Sequence, residues 1–186
     1  ELAKELLNTR KNGFFKVTDE VIAEADELSE GYKAFLDAAK TERESVDFAV
    51  AVAEKNGFVE FDPTCKYQPG DKVYYNNRGK NLYLIRIGKK DVAKHGVRII
   101  ASHIDSPRID LKQVPLYEAE GIAFAKTHYY GGIRKYQWAA IPLALHGAVV
   151  KKNGEVLEVA IGEDENDPIF YISDLLPHLA AKQNAK

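Results

Sequence analysis

The segment Ala101-Ser102-His103-Ile104-Asp105-Ser106-Pro107-Arg108 holds the residues best suited to chemistry. A histidine followed two residues later by an aspartate can offer a neutral imidazole to a metal ion while the carboxylate holds the ring and raises its basicity. The same triplet also describes a surface turn in which Asp105 caps Ser106-Pro107, so spacing alone leaves both readings open. Position favours a site. Val97 to Ser102 is a nearly continuous apolar run, the pattern of a strand covered on both faces of an α/β sheet, and sites in such sheets gather beyond the carboxyl ends of strands. Of the other histidines, His95 lies in a Lys94-His95-Gly96 turn, His128 stands beside Tyr129 and Tyr130, and His146 belongs to an apolar strand. These three read as solvated, packed or hydrogen-bonded groups rather than ligands. The single cysteine, Cys65, can form neither an internal disulfide nor a thiolate zinc site, so any metal here is held by imidazole and carboxylate.

The elements that would position this segment can be read from hydrophobic period. Val21, Ile22, Ala25 and Leu28 recur at helical steps, and the stretch from Val21 to Ala53 predicts helices, with Thr18-Asp19-Glu20 as a start and Asn56-Gly57 as a stop. After Gly57 the period becomes two. Phe58 to Phe61, Lys72 to Tyr75 and Leu82 to Ile87 predict strands, separated by Asp62-Pro63, Pro69-Gly70-Asp71 and Asn76-Asn77-Arg78-Gly79 in the manner of a β-meander. From Gln137 onward, strands are expected at Ala139 to Leu145, Ala148 to Val150 and Val156 to Ile161, with Asn153-Gly154 as a hairpin turn. A short strand at Pro168 to Ile172 and a last helix from Ser173 to Lys182 complete the reading.

Composition narrows the function classes. The chain has 186 residues, 45% hydrophobic and 29% charged, which suits a packed fold. Lys+Arg 26 against Asp+Glu 28 leaves a net charge of -2, without the basic excess that draws a chain to nucleic acid or to anionic lipid. The aromatic cluster Tyr129, Tyr130, Tyr136 and Trp138 is therefore read as core or subunit interface rather than a base-stacking platform. The apolar runs fall well short of the roughly 20 residues that cross a bilayer, and no signal-peptide pattern opens the chain, so a cytoplasmic protein is expected. The absence of methionine suggests an excerpt or processed form of a longer chain.

The run His103-Ile104-Asp105-Ser106-Pro107, with Lys112 and Pro115 downstream, resembles the first metal-ligand motif of the M18 metallopeptidases, the aspartyl aminopeptidase family. Thr41-Glu42-Arg43-Glu44, Tyr130-Gly131-Gly132, Trp138, Leu143 to Gly147 and Asp174 to Leu179 extend the resemblance along most of the chain. It implies a zinc-peptidase-like layered α/β domain with a mixed central sheet, followed by the start of an inserted β-rich dimerisation domain, with limits at 1–128 and 129–186. It further implies a zinc-dependent aminopeptidase with two Zn2+ per complete active site, acting on peptides with a free N-terminus and preferring Asp or Glu there. Carried over, His103 is a zinc ligand and Asp105 the carboxylate that supports it. His178, within Leu175-Leu176-Pro177-His178-Leu179, is the inserted-domain histidine that reaches a neighbouring subunit's active site. Family members assemble as dodecamers built from dimers. The bridging aspartate, the paired glutamates and the remaining ligands of the family pattern are not in this sequence, which is read as part of the enzyme. A different class of function, a non-catalytic oligomerisation module, is the alternative.

Overall fold

The computed structural model describes residues 2–8, 10 and 12–181. Two units are distinguished, Glu1–Ala39 and Lys40–Lys186. In the first, the short helix α1 (Leu2–Leu6) and a 3-10 turn at Gly13–Lys16 precede the long helix α2 (Asp19–Ala38). Asn12 caps the 3-10 turn by accepting a hydrogen bond from the Phe14 amide at 3.0 Å. α2 starts where Thr18-Asp19-Glu20 predicts, with both acids in the first turn where the helix dipole favours them.

The second unit opens with α3 (Glu42–Lys55). Its N-terminus is closed reciprocally: the Glu44 amide donates to Thr41 Oγ1, and Glu44 Oε2 accepts from the Thr41 hydroxyl at 2.9 Å and from the Lys40 amide at 3.1 Å. This is a capping box, which satisfies otherwise orphaned donors of the first turn. Gly57, at φ +80, ends the helix as Asn56-Gly57 predicts. The strands β1 (Val59–Glu60), β2 (Lys72–Asn77) and β3 (Asn81–Arg86) form a sheet in that order, and α3 covers it. Val46 and Ala53 of α3 are buried with Val73 and Tyr74 of β2, and the Tyr74 hydroxyl, at the edge of this core, donates to Glu54 Oε1 at 2.8 Å.

The β2–β3 pair is antiparallel as expected, but β1 lies parallel to β2. The connection from Phe61 to Asp71 is thus a crossover rather than a meander turn, and the sheet is mixed. The fold class expected from sequence, α/β with a mixed sheet, is the one observed.

A second expectation is overturned. Val97 to Ser102 forms no strand, and among the described residues its backbone makes no backbone–backbone hydrogen bond. Ile100 is 101% exposed. An apolar run becomes a doubly covered strand only where a neighbouring strand pairs its edge and other layers cover its two faces, and among the described residues no strand pairs it.

Beyond the one-turn helix α4 (Val92–His95), the unit is built of strands. β4 (Arg108–Ala119) and β5 (Ile122–Tyr130) form a long hairpin with an irregularity between Leu111 and Leu116. Pro115, which has no amide hydrogen to give to a ladder, lies inside it. After a 3-10 turn at Lys135–Gln137, β6 (Pro142–Leu143) pairs with β9 (Phe170–Tyr171), and β7 (Leu145–Val150) pairs with β8 (Val156–Ile161) across the expected Asn153-Gly154 turn. The expected last helix is not formed among the described residues. A single turn remains around Pro177, closed by the Leu179 and Ala180 amides on Leu176 O, and the expected end at Lys182 lies outside the described residues. No described helix is long and apolar enough to cross a membrane.

Candidate metal centre

His103 lies in the extended segment between Val97 and β4, with its side chain 83% exposed. Its Nδ1 is 2.8 Å from the backbone oxygen of Asp105 and 3.1 Å from Asp105 Oδ1. Both atoms are acceptors, so in the neutral ring Nδ1 carries the proton and Nε2 keeps its lone pair. That is the tautomer a metal-binding imidazole needs, with the second nitrogen tied to a carboxylate.

Asp105 is held from its other side as well. The Tyr130 hydroxyl donates to Oδ2 at 2.6 Å. This bond, more than those from His103 and the backbone, holds the Asp105 carboxyl below its ordinary pKa, and the same bond raises that of the Tyr130 phenol. Tyr130 is in turn stacked by Arg108, whose guanidinium carbon is 4.2 Å from the ring centroid. Arg108 Nε donates to Asp110 Oδ1 at 2.8 Å, and Nη1 donates to Glu42 Oε1, at the start of α3, at 2.9 Å. Burial works against the charged guanidinium, but these carboxylates outweigh it and raise its pKa.

The hairpin explains the juxtaposition. Arg108 pairs directly with Tyr130 across β4 and β5. The chain then turns at Gly131, at φ +72, so close to Pro107 that an added Cβ would stand 3.4 Å from the Pro107 Cα. The motifs His103-Ile104-Asp105-Ser106-Pro107 and Tyr130-Gly131-Gly132 are thus two sides of one corner.

Sequence reasoning did not assign Tyr130, Arg108 or Glu42 to the site. Of the aromatic cluster expected in core or subunit interface, Tyr129 and Tyr136 are more than half exposed and so lie outside the core of this chain, while Tyr130 bonds to Asp105. His178 sits exposed in the turn around Pro177, and among the described residues no hydrogen bond or ion pair joins it to His103 or Asp105. His128 Nδ1 is 3.3 Å from the Tyr129 carbonyl oxygen, and His95 ends α4 in solvent. His146 has both nitrogens engaged, Nδ1 with Glu44 Oε1 and Nε2 with Glu163 Oε1, each at 2.8 Å. No group of three or more His, Cys, Asp or Glu among the described residues could hold a metal ion.

The sequence profile of the family described as Aminopeptidase I zinc metalloprotease (M18) matches residues 35–186. The chain belongs to the M18 family. Among curated relatives of this M18 chain, a Clostridium acetobutylicum protein described as "Probable M18 family aminopeptidase 1" is 46% identical over 189 residues, taking in 100% of this chain and 40% of the relative. A Thermotoga maritima protein of the same description is 44% identical over 163 residues, covering 88% of this chain and 36% of the relative. The M18 chain therefore spans about 40% of the length of the C. acetobutylicum relative. In structure it is similar to the crystal structure of aminopeptidase I from Borrelia burgdorferi B31, with a TM-score of 0.83 and 42% identity over 90% of this chain and 41% of that one. It is also similar to the mApe1 dodecamer of S. cerevisiae, with a TM-score of 0.67 and 25% identity over 87% of this chain and 38% of that one.

Proposed function

We propose that this M18 chain carries part of the active site of a zinc-dependent aminopeptidase in which His103 is a ligand to one of two zinc ions and Asp105 is the carboxylate that orients it. One observation carries the reading: His103 Nδ1 is tied to Asp105, leaving Nε2 as the open donor on an exposed ring. An imidazole so arranged fits zinc, which binds nitrogen at about 2.0–2.1 Å. A catalytic zinc takes roughly three protein ligands and a water, and His103 supplies one. The others are assigned to the part of the M18 relatives that this chain does not span.

When bound, zinc polarises the scissile carbonyl and lowers the pKa of a water so that hydroxide forms near neutrality. The tasks of this chain's own residues are to hold and to orient. Asp105 accepts a hydrogen bond from the Nδ1–H, fixes the tautomer of His103 and increases the electron density at Nε2. The substrate class is peptides with a free N-terminus, preferably acidic, acted on in the cytoplasm. Residues 1–128 belong to the catalytic domain and 129–186 begin the inserted β-rich domain, from which His178 reaches the substrate in a neighbouring subunit. Assembly into dimers and then dodecamers supplies that neighbour. The dodecameric state of S. cerevisiae mApe1 supports this part of the reading.

The test is His103→Ala in the complete protein, with bound zinc and the hydrolysis of a panel of aminoacyl chromogenic substrates measured together. Zinc content and hydrolysis are both expected to fall, and the parent's activity should be abolished by chelator and greatest on Asp and Glu. Full zinc content and full activity in the variant would overturn the assignment. Equal rates on neutral and acidic residues would retire the acidic preference alone.

A further inference from the structure

We infer that Tyr130 is a positioning residue for the metal ligand, and that Arg108 holds Tyr130 to that task. The inference rests on the reading of His103 as a zinc ligand. His103 and Asp105 lie in a segment without regular structure, and Asp105 is itself 36% exposed. A carboxylate in that setting, bonded only to the ring it must orient, would turn freely about its own side-chain torsions, and the imidazole would be held by the Asp105 backbone oxygen alone, at 2.8 Å. Here each oxygen has its own donor: Oδ1 takes Nδ1 of His103 and Oδ2 takes the Tyr130 hydroxyl. The plane of the carboxylate is thereby fixed, and the carboxylate joins the Asp105 backbone oxygen in setting the direction of Nε2.

Tyr130 can do this because regular structure holds it. It is the last residue of β5, opposite Arg108, the first residue of β4. Its ring lies against the Arg108 guanidinium, which is braced by Asp110 on its own strand and by Glu42 at the start of α3. Rigidity therefore passes from α3 through Arg108 and Tyr130 to Asp105 and so to His103.

The irregularity in the hairpin is what brings the two together. Near its tip the strands pair Ala119 with Ile122, a register that would set Tyr130 opposite Leu111. The shift between Leu111 and Leu116 moves the partner to Arg108, within reach of Asp105.

The test uses the complete protein and competition for zinc against a chromophoric chelator, with thermal unfolding of the chelator-treated protein measured in parallel. Tyr130→Phe removes one oxygen and keeps the ring under Arg108. Its zinc affinity is expected to fall by roughly 10–100-fold, the usual effect of losing a partner that orients a ligand, while the metal-free melting temperature stays in place. Tyr129→Phe, next in the strand and more than half exposed, should bind zinc as the parent does. Wild-type affinity in Tyr130→Phe, or a loss matched by Tyr129→Phe or by a fall in the metal-free melting temperature, would overturn the inference. His103→Ala separates the two levels: if it binds zinc normally the ligand assignment itself fails, and if it loses zinc while Tyr130→Phe does not, only the role of Tyr130 fails.

Discussion

His146→Ala removes the group that ties α3 to β7 and to the loop after β8. His146 is 13% exposed in its side chain and stands between Glu44 and Glu163. Burial disfavours its imidazolium, but the hydrogen bonds to the two carboxylates outweigh burial and raise its pKa above the ordinary 6.5. Burial likewise opposes the charge on Glu44, and the bonds from His146 and Thr41 outweigh it and hold that carboxyl below 4.5. A bond between charged groups contributes about 1.5–3 kcal/mol when shielded and well under 1 kcal/mol at an exposed surface. Glu44 is 31% exposed and Glu163 50%, so the first bond falls near the lower end of the shielded range and the second near the surface value. Together they come to about 2 kcal/mol, or roughly 4–8 °C of melting temperature for a chain of this size. The contribution of His146 is whole below 6.5 and is lost as pH rises through its raised folded pKa, because a neutral ring can donate to only one of its two carboxylates. That of Glu44 is whole above 4.5 and is lost as pH falls through its lowered folded pKa. Thermal unfolding of parent and variant, followed by the fluorescence of the single tryptophan, Trp138, should therefore show the full difference at pH 6 and a much smaller one at pH 9. Equal differences at the two pH values, or none at pH 6, would refute the reasoning.

Two further substitutions probe the frame around the site. Val46→Ala, at a side chain 1% exposed between α3 and the sheet, removes two methyl carbons and leaves a cavity, and urea unfolding should show a loss of about 2 kcal/mol. Gly162→Ala places a Cβ 3.1 Å from Ala144 Cα and 3.2 Å from the Leu143 carbonyl oxygen at a φ of +102, so a loss of about 1–3 kcal/mol is expected in the same assay, and an unchanged midpoint would show that the β8 end can relax.

Local chemistry made part of this molecule legible from its residues. Asn153-Gly154 and Gly57 announce their turns because the required backbone geometry depends on the residue at the spot. His103 and Asp105 are two residues apart, so their contact also lies within the reach of sequence reasoning. Tyr130 is 25 positions from Asp105, and their meeting depends on a cross-strand register that the Leu111–Leu116 irregularity resets. No local pattern carries that information. The parallel pairing of β1 and β2 was hidden for the same reason, since alternation shows that a strand exists but not which way its partner runs. Val97 to Ser102 shows the converse: its apolar residues describe the surroundings a strand would need, and within the described residues those surroundings are absent.

That unpaired segment leads straight into His103. Read as a zinc ligand, His103 delivers its lone pair from the end of a segment that no strand pairs among the described residues, so its direction rests on side-chain and backbone contacts of Asp105 and Tyr130. A strand that paired with Val97 to Ser102 and changed the hold on His103 would bias metal uptake without touching the metal, and by reciprocity zinc would strengthen that pairing by the same factor.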